Sequence, residues 1–569
     1  MKIKLCAAQI LCFSLLLMTI SCNRKNKTKT REIVNSINLK RGDLISCGPP
    51  AKEFGLVRFE TSCSQKVKKD FNLAMALLHS FEYDEAEKLF AKIIDEEPEC
   101  AMAYWGVSMS NYHPLWEMPT QPELEKGAKA IAVAQSINQK SEIEADFIDA
   151  MALFYKDWET ADHRTRSIRL KNAMEKLYQN QPANKEAGIF YALTLVATAD
   201  LSDKSYTNQI KAGNILTSLY PGEPNHPGII HYIIHAYDYP GLAVKALPAA
   251  RKYASIAPSS AHAQHMPSHI FMRMGLWDES IHSDLASTSA AKCYAETAGI
   301  KGHWDEELHG MDYLVYAYLQ KAENRLAKQQ YDYLKSIHEV YPVNFKDAYA
   351  FAAIPSRYLL ENKMWKEAMA LEIHPVNFPW KNFPWQKAIF HFTRLLGSAH
   401  NGNLDQTKAE LNNLKTIYDT LMKRKDPYKA NQVMIQIRAG EAWIQFMEGQ
   451  TNNAIKLMTV AADMEDKTEK HPVTPGEIIP ARELLGDMFL QTNKPKEALS
   501  AYEADLKKQP NRFNALYGAA LAAQKTDDVV KAVYYYQQLV ANVNLTEAGR
   551  PEIEEALLFL KNQKAVTIK

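Results

Sequence analysis

The feature that most constrains this chain is a block of two helical stretches joined by a short turn, which recurs. In "IPARELLGDMFLQTNKPKEALSAYEADLKKQP" apolar residues return every three or four positions on both sides of "TNKP". That period is the mark of an amphipathic helix, and the Asn and Pro mark the break. Leu485 and Gly486 fall in the first stretch, with Phe489 one turn later. Ala498 falls where the second helix would cross the first, Tyr502 follows it, and Pro510 ends the block. The next block keeps these offsets with Leu516, Ala520, Ala532 and Tyr536, and one near the N-terminus does so with Leu73, Ala74, Ala86, Phe90 and Pro98. "LWDESIHSDL" and "MWKEAMAL" punctuate the chain in the same way. No convincing run of period-two alternation appears. The pattern predicts an all-α fold from about residue 63 to the C-terminus, because a hairpin of this kind buries its apolar face only by stacking on neighbours.

An Ala at the crossing followed by an aromatic four residues on, in units of about 34 residues, resembles the tetratricopeptide repeat (TPR). The resemblance implies a right-handed α-α superhelix, a solenoid of helical hairpins with a concave groove. Residues 120 to 430 fit the consensus poorly and are expected to be a divergent continuation. Five blocks, "EAEKLFAKIIDEEPECAMAYWGVSMS", "HPGIIHYIIHAYDYPG", "HAQHMPSHIFMRMGLW", "LHGMDYLVYAYLQ" and "HPVTPGEIIPARELLGDMFL", resemble one family of exported bacterial TPR lipoproteins. That resemblance implies fold and export and no particular activity. The expected division is a signal at 1–21, a tether and loop at 22–62, N-terminal and divergent repeats with a His-rich centre at 63–430, and C-terminal repeats at 431–569.

Export is written in the first residues. Lys2 and Lys4 precede the apolar "ILCFSLLLMTI", which has the order of a signal peptide and is too short for a confident spanning helix. It ends at "TISC", which resembles a lipobox and implies cleavage before Cys22 and a lipid on its thiol. The following "NRKNKTKTREIVNSINLKRGD" is polar and basic, as suits a solvated tether beside anionic headgroups. The expected location is the bacterial envelope, lipid-anchored and facing the periplasm. Beyond the signal and Cys22, four of the seven cysteines remain: Cys47, Cys63, Cys100 and Cys293. An exported chain permits disulfides, and Cys47 and Cys63 flank a short loop that such a bond would close; four unpaired thiols are the alternative.

With 67 basic and 66 acidic residues, the chain has a net charge of +1 and no basic face beyond the tether, which argues against nucleic acid as a partner. No phosphate-binding loop, dinucleotide fingerprint, H-E-x-x-H helix, G-x-S-x-G elbow or C-x-x-C pair occurs. Histidine is the unusual residue. Six of the 17 fall in two of the quoted blocks, at His226, His231, His235, His262, His265 and His269. Residues four apart on a helix share a face, so His231 and His235 form one pair and His265 and His269 another. Two pairs on adjacent helices would supply four imidazoles to a divalent transition metal such as zinc. His226, His262 and His309 are further ligand candidates, and Asp312, one turn from His309, is placed to orient a ligand histidine. Pro267 interrupts the second pair if the helix begins there. The other reading of these histidines is a polar lining whose members satisfy one another or nearby carbonyls. Trp116, Trp380 and Trp385 stand beside prolines, either as edges of a recognition groove or as lids on the core.

Two functions follow. One is a membrane-anchored scaffold whose groove holds a protein segment or another extended ligand. The other is a metal-binding protein or metal-dependent enzyme built on the histidines. The sequence names no catalytic residue and leaves open whether the chain is an enzyme.

Overall fold

The turn signals of the sequence do end helices. The computed structural model describes residues 36–47, 54–116, 118–200, 203–546 and 549–567. Among them lie 25 α-helices, most of them packed on the next helix in the chain. Short connections make such neighbours antiparallel. The expected all-α, TPR-like helical-repeat architecture is therefore what the chain adopts. The only strands among the described residues are β1 (His303–Trp304) and β2 (Val340–Tyr341), a two-residue parallel bridge. No helix among the described residues is long and apolar enough to cross a membrane. The expected signal, its cleavage point and Cys22 lie outside the described residues.

The repeat offsets have direct structural meaning. Ala498 and Tyr502 are fully buried. A Cβ on Gly486 would lie 2.6 Å from the Tyr502 ring, and one on Gly518 would lie 2.4 Å from it. The ring thus packs against two helix backbones, and glycine is required at both contacts.

Two compact units divide the chain. Among the described residues, the first holds those of 54–200 and 205–232 and those up to Leu44; the second holds those of 233–569 with those of 45–53 and 201–204. The division falls inside the helix Pro227–Tyr237, so His231 belongs to the first unit and His235 to the second. The expected boundary near residue 430 is not where the units part. The first unit is centred on Phe59, Phe71, Phe90, Trp105, Phe147 and Phe190, rings 5.5 to 6.3 Å apart. Part of the expected tether docks on this unit through two residues while most of its others stay exposed. Ile37 and Leu39 are buried, and Arg41 makes two 3.0 Å hydrogen bonds to Asp95. Two apolar residues in the otherwise polar run from Ser36 to Asp43 dock the segment, which its composition concealed.

In the second unit the core runs through the helices Asp305–Gln320, Phe345–Glu361, Pro384–His400 and Pro427–Met447. Trp380 and Trp385 are buried in it, as lids. The disulfides differ from the expected Cys47–Cys63 bond. Cys47 pairs with Cys293 and Cys63 with Cys100, at Cα separations of 5.8 and 5.1 Å. Cys100 caps the start of the helix Ala101–Ser110 and Cys293 lies on Trp277–Ala298. Helix packing, which sequence proximity does not report, chose the partners.

Candidate metal centre

Four helices and one loop of the second unit build the site. The end of Pro227–Tyr237 brings His235, with Asp238 just beyond it. Ala261–Met274 brings His262, His265, His269 and Arg273. Ser260 caps this helix by accepting the Ala263 N–H at 3.0 Å. Gly275 ends it at φ +64, where a Cβ would lie 2.3 Å from the Pro510 carbonyl oxygen. Pro267 lies inside the helix and does not break it, so His265 and His269 share one face as the spacing predicted. Trp277–Ala298 brings Asp284, Asp305–Gln320 brings Glu306, His309 and Tyr313, and the loop after residue 466 brings Lys470.

Each imidazole of the 265/269 pair has its own carboxylate. His265 Nδ1 lies 2.7 Å from Asp284 Oδ1, and His269 Nδ1 lies 3.1 Å from Asp238 Oδ2. Asp284 also accepts from the hydroxyls of Ser268 at 3.1 Å and Ser280 at 3.2 Å. Asp238 accepts from Arg273 Nε at 2.8 Å and Lys470 Nζ at 3.0 Å. An ionised carboxylate on Nδ1 makes that nitrogen the donor and leaves Nε2 with a lone pair, the arrangement found behind metal-bound histidines; Asp238 holds His269 in this way, and Asp284 does so for His265 only when it is ionised. Here the two Nε2 atoms face one another at 3.0 Å. His309 stands over them, its ring centroid 4.2 Å from that of His265. One nitrogen from each of His265, His269 and His309 lies within 4.8 Å of the others. Tyr313 Oη closes the floor, 3.3 Å from His269 Nε2 and donating to the Val473 carbonyl at 3.1 Å.

Electrostatics keep these imidazoles neutral. Burial pushes His265 and His269 down to about 3 and His309 well below its ordinary value. At 3.0 Å the two Nε2 atoms make a hydrogen bond when one neutral ring carries its proton there, and oppose two lone pairs when both rings are protonated at Nδ1. Burial would raise Asp238, but Lys470 and Arg273 outweigh it and hold the carboxyl well below the usual range. Asp284 has no such cation and is pushed well up by burial. A cation on His265 would reverse that shift by favouring the carboxylate.

Beside this trio His235 and His262 stack with ring centroids 6.3 Å apart, and His262 Nδ1 lies 3.8 Å from Glu306 Oε2. Lys346 Nζ lies 2.5 Å from Glu306 and 2.5 Å from Asp305, and its charge outweighs burial to hold Glu306 ionised.

The remaining expected ligands have other partners. His226 belongs to the first unit, where Glu186 accepts from its Nε2 at 2.9 Å and from His79 Nε2 at 3.0 Å. His231, also of the first unit, donates from Nδ1 to the His79 carbonyl at 2.7 Å. Asp312 does not orient a histidine: it is ion-paired with the buried guanidinium of Arg357. The orienting carboxylates, Asp238 and Asp284, were not singled out in the sequence. Asp238 follows His235 by three residues, a signal that was available; Asp284 sits in the serine-rich "SIHSDLAST" and gives none. His471 is half-buried and stacks on Phe345 at 4.5 Å, away from the trio's contacts.

No known protein-family model and no curated protein matches the chain. Among solved structures it is similar to the human IFIT1 dimer with m7Gppp-AAAA, at 12% identity over 83% of this chain and 88% of that one, with a TM-score of 0.34. It is also similar to yeast Tom70, at 11% identity over 88% and 96% of the two chains, with a TM-score of 0.31. The functional reading rests on the side chains.

Proposed function

We propose that the protein is a transition-metal-binding helical-repeat protein of the bacterial envelope, anchored through Cys22, whose second unit holds an ion on His265, His269 and His309. One observation carries the reading. Two buried imidazoles, each with an aspartate at Nδ1, bring their Nε2 atoms within 3.0 Å of each other beside His309. An ion between them and His309 would turn that approach into shared coordination. Neutral imidazoles suit zinc, copper, iron or nickel. Three protein ligands leave a position for water or substrate, as catalytic zinc sites do. The repeats are the scaffold in this reading, and their stacked helices fix the ligand geometry.

The test is metal content by elemental analysis with a His265→Ala/His269→Ala variant alongside. Purified protein reloaded with zinc should carry at least one ion per chain, and the double variant should lose it with its helical circular dichroism intact. Metal well below one equivalent that the variant does not lower refutes the reading.

A further inference from the structure

Glu186 is the meeting point of two imidazoles inside the first unit. Its Oε1 accepts from His226 Nε2 at 2.9 Å and its Oε2 from His79 Nε2 at 3.0 Å. All three side chains are buried. His79 ends the helix Lys68–His79, Glu186 lies in the first turn of Lys185–Ala197, and His226 precedes the helix Pro227–Tyr237. Three separate segments thus bring one donor each. Asn184 caps the second of them by accepting the Ala187 N–H at 3.0 Å, which fixes the turn that carries Glu186. Phe190, one turn on, stacks on the His79 ring at 4.9 Å. Gly228 admits the third segment, since a Cβ there would lie 2.4 Å from His79 Nδ1.

Hydrogen bonds satisfy the carboxylate, but no lysine or arginine among the described residues pairs with it. With both imidazoles neutral the cluster keeps one net negative charge away from water, which is costly. A proton on a ring would cancel that charge, and burial opposes it at His79, lowering its affinity for a proton against the pull of Glu186. A cation among the three donors cancels it instead. One donor atom from each residue lies within 4.8 Å of the other two. Donors on one tetrahedral ion stand about 3.3 Å apart at metal bonds of about 2.0–2.2 Å, so the widest pair closes by about 1.5 Å at most. On His79 the Tyr232 hydroxyl, 3.1 Å from Nδ1, can accept the proton that moves there when Nε2 binds the ion. His226 Nδ1 is buried with no hydrogen-bond partner, so shifting its proton there forfeits no bond. A cavity of about 230 Å³ reaches Glu186 and His226, and exposed Arg58, Glu60 and Lys185 on its walls open it to solvent. It supplies an ion with its way in.

We infer that His79, Glu186 and His226 hold a divalent transition-metal ion inside the first unit, at a site separate from the one proposed on His265, His269 and His309. The two sites share no residue, and either can hold without the other. Two histidines and a glutamate are a donor set of catalytic zinc sites, where water takes the fourth position. Tyr232 is then a positioning residue, holding the far nitrogen of a ligand ring.

Stripped with chelator and titrated with Co(II), the full-length mature protein should bind two equivalents. The His265→Ala/His269→Ala variant should keep one, and paramagnetic NMR of its Co(II) form should show two shifted, exchangeable imidazole N–H signals. Glu186→Gln keeps the shape of the side chain and removes its charge; in the same background it should abolish the remaining equivalent. His226→Gln gives a second route to that loss if Glu186→Gln fails to fold, with circular dichroism reporting the fold. One equivalent in the unaltered protein and none in His265→Ala/His269→Ala overturns this site and leaves the other standing. One equivalent that survives His265→Ala/His269→Ala and disappears with Glu186→Gln supports this site and refutes the other. Cobalt still held in that background by folded Glu186→Gln and His226→Gln proteins overturns the assignment of these ligands. No binding by the unaltered protein overturns both sites.

Discussion

Asp284→Asn isolates the part of the metal centre that is electrostatic. The asparagine carbonyl can accept the His265 Nδ1–H across the present 2.7 Å contact and the Ser268 hydroxyl across 3.1 Å. Its amide NH2 would replace Oδ2, where Ser280 now donates across 3.2 Å, and the serine can accept instead. No buried polar group is stranded, so the fold should lose little. What is lost is the charge behind His265, and with it part of the imidazole's strength as a ligand. Substitution of such supporting groups weakens metal binding about 10–100-fold, which is about 1.4–2.7 kcal/mol. The assay is competition for zinc against a chromophoric chelator at neutral pH, with thermal unfolding of the metal-free protein beside it. Asp238→Asn makes the contrast. It removes the negative charge that faces both Arg273 and Lys470, whose bonds are 2.8 and 3.0 Å, and should lower stability as well as affinity. A zinc affinity for Asp284→Asn within twofold of the unaltered protein, with the fold intact, would refute the role given to His265.

Other outcomes follow from the scaffold. Arg512 is fully buried between Glu361 at 2.7 Å and Glu483 at 3.0 Å, so Arg512→Ala leaves two carboxylates unpaired and should cost about 3–5 kcal/mol, read by denaturant unfolding. Gly486→Ala should lower the melting temperature through its 2.6 Å approach to the Tyr502 ring, and Tyr502→Ala combined with it should cost less than the two separate losses added together. Peptide mapping of exported protein should return Cys63–Cys100 and Cys47–Cys293; removing the first, which closes 37 residues, should cost about 4 kcal/mol by the loop-closure relation. His400 stacks on Trp365 at 3.8 Å and is pushed down to about 4 by burial. The unfolded chain then binds the proton first, so this contribution is complete above about 6.5 and is lost as pH falls from there through 4. His400→Gln should flatten the pH dependence of stability across that window.

The repeat offsets around Gly486, Ala498 and Tyr502 were legible because they are contacts within one hairpin and its neighbour. The face shared by His265 and His269 was legible for the same reason, being a matter of helical period, and Pro267 did not disturb it. Choices between competing partners were not legible. Asp312 lies one turn from His309, yet it pairs with Arg357 from a helix that begins 33 residues further along. The carboxylate on His269 comes from a turn 31 residues earlier, and the lysine that holds it comes from 232 residues later. His231 and His235 look equivalent in the sequence, but the boundary between units falls between them. Cys47 met Cys293, 246 residues away, rather than its near neighbour. In each case the period of the chain specified the face, and the packing of distant helices specified the partner.

The central claim is an ion held by His265, His269 and His309. Crystals of the zinc-loaded protein, measured on both sides of the zinc absorption edge, test it most directly. The account predicts an edge-dependent anomalous peak about 2.0–2.1 Å from a ring nitrogen of each of the three histidines, with the two Nε2 atoms drawn apart from their present 3.0 Å. A map with no anomalous peak among these rings, and the two Nε2 atoms still sharing a proton at that distance, would contradict it.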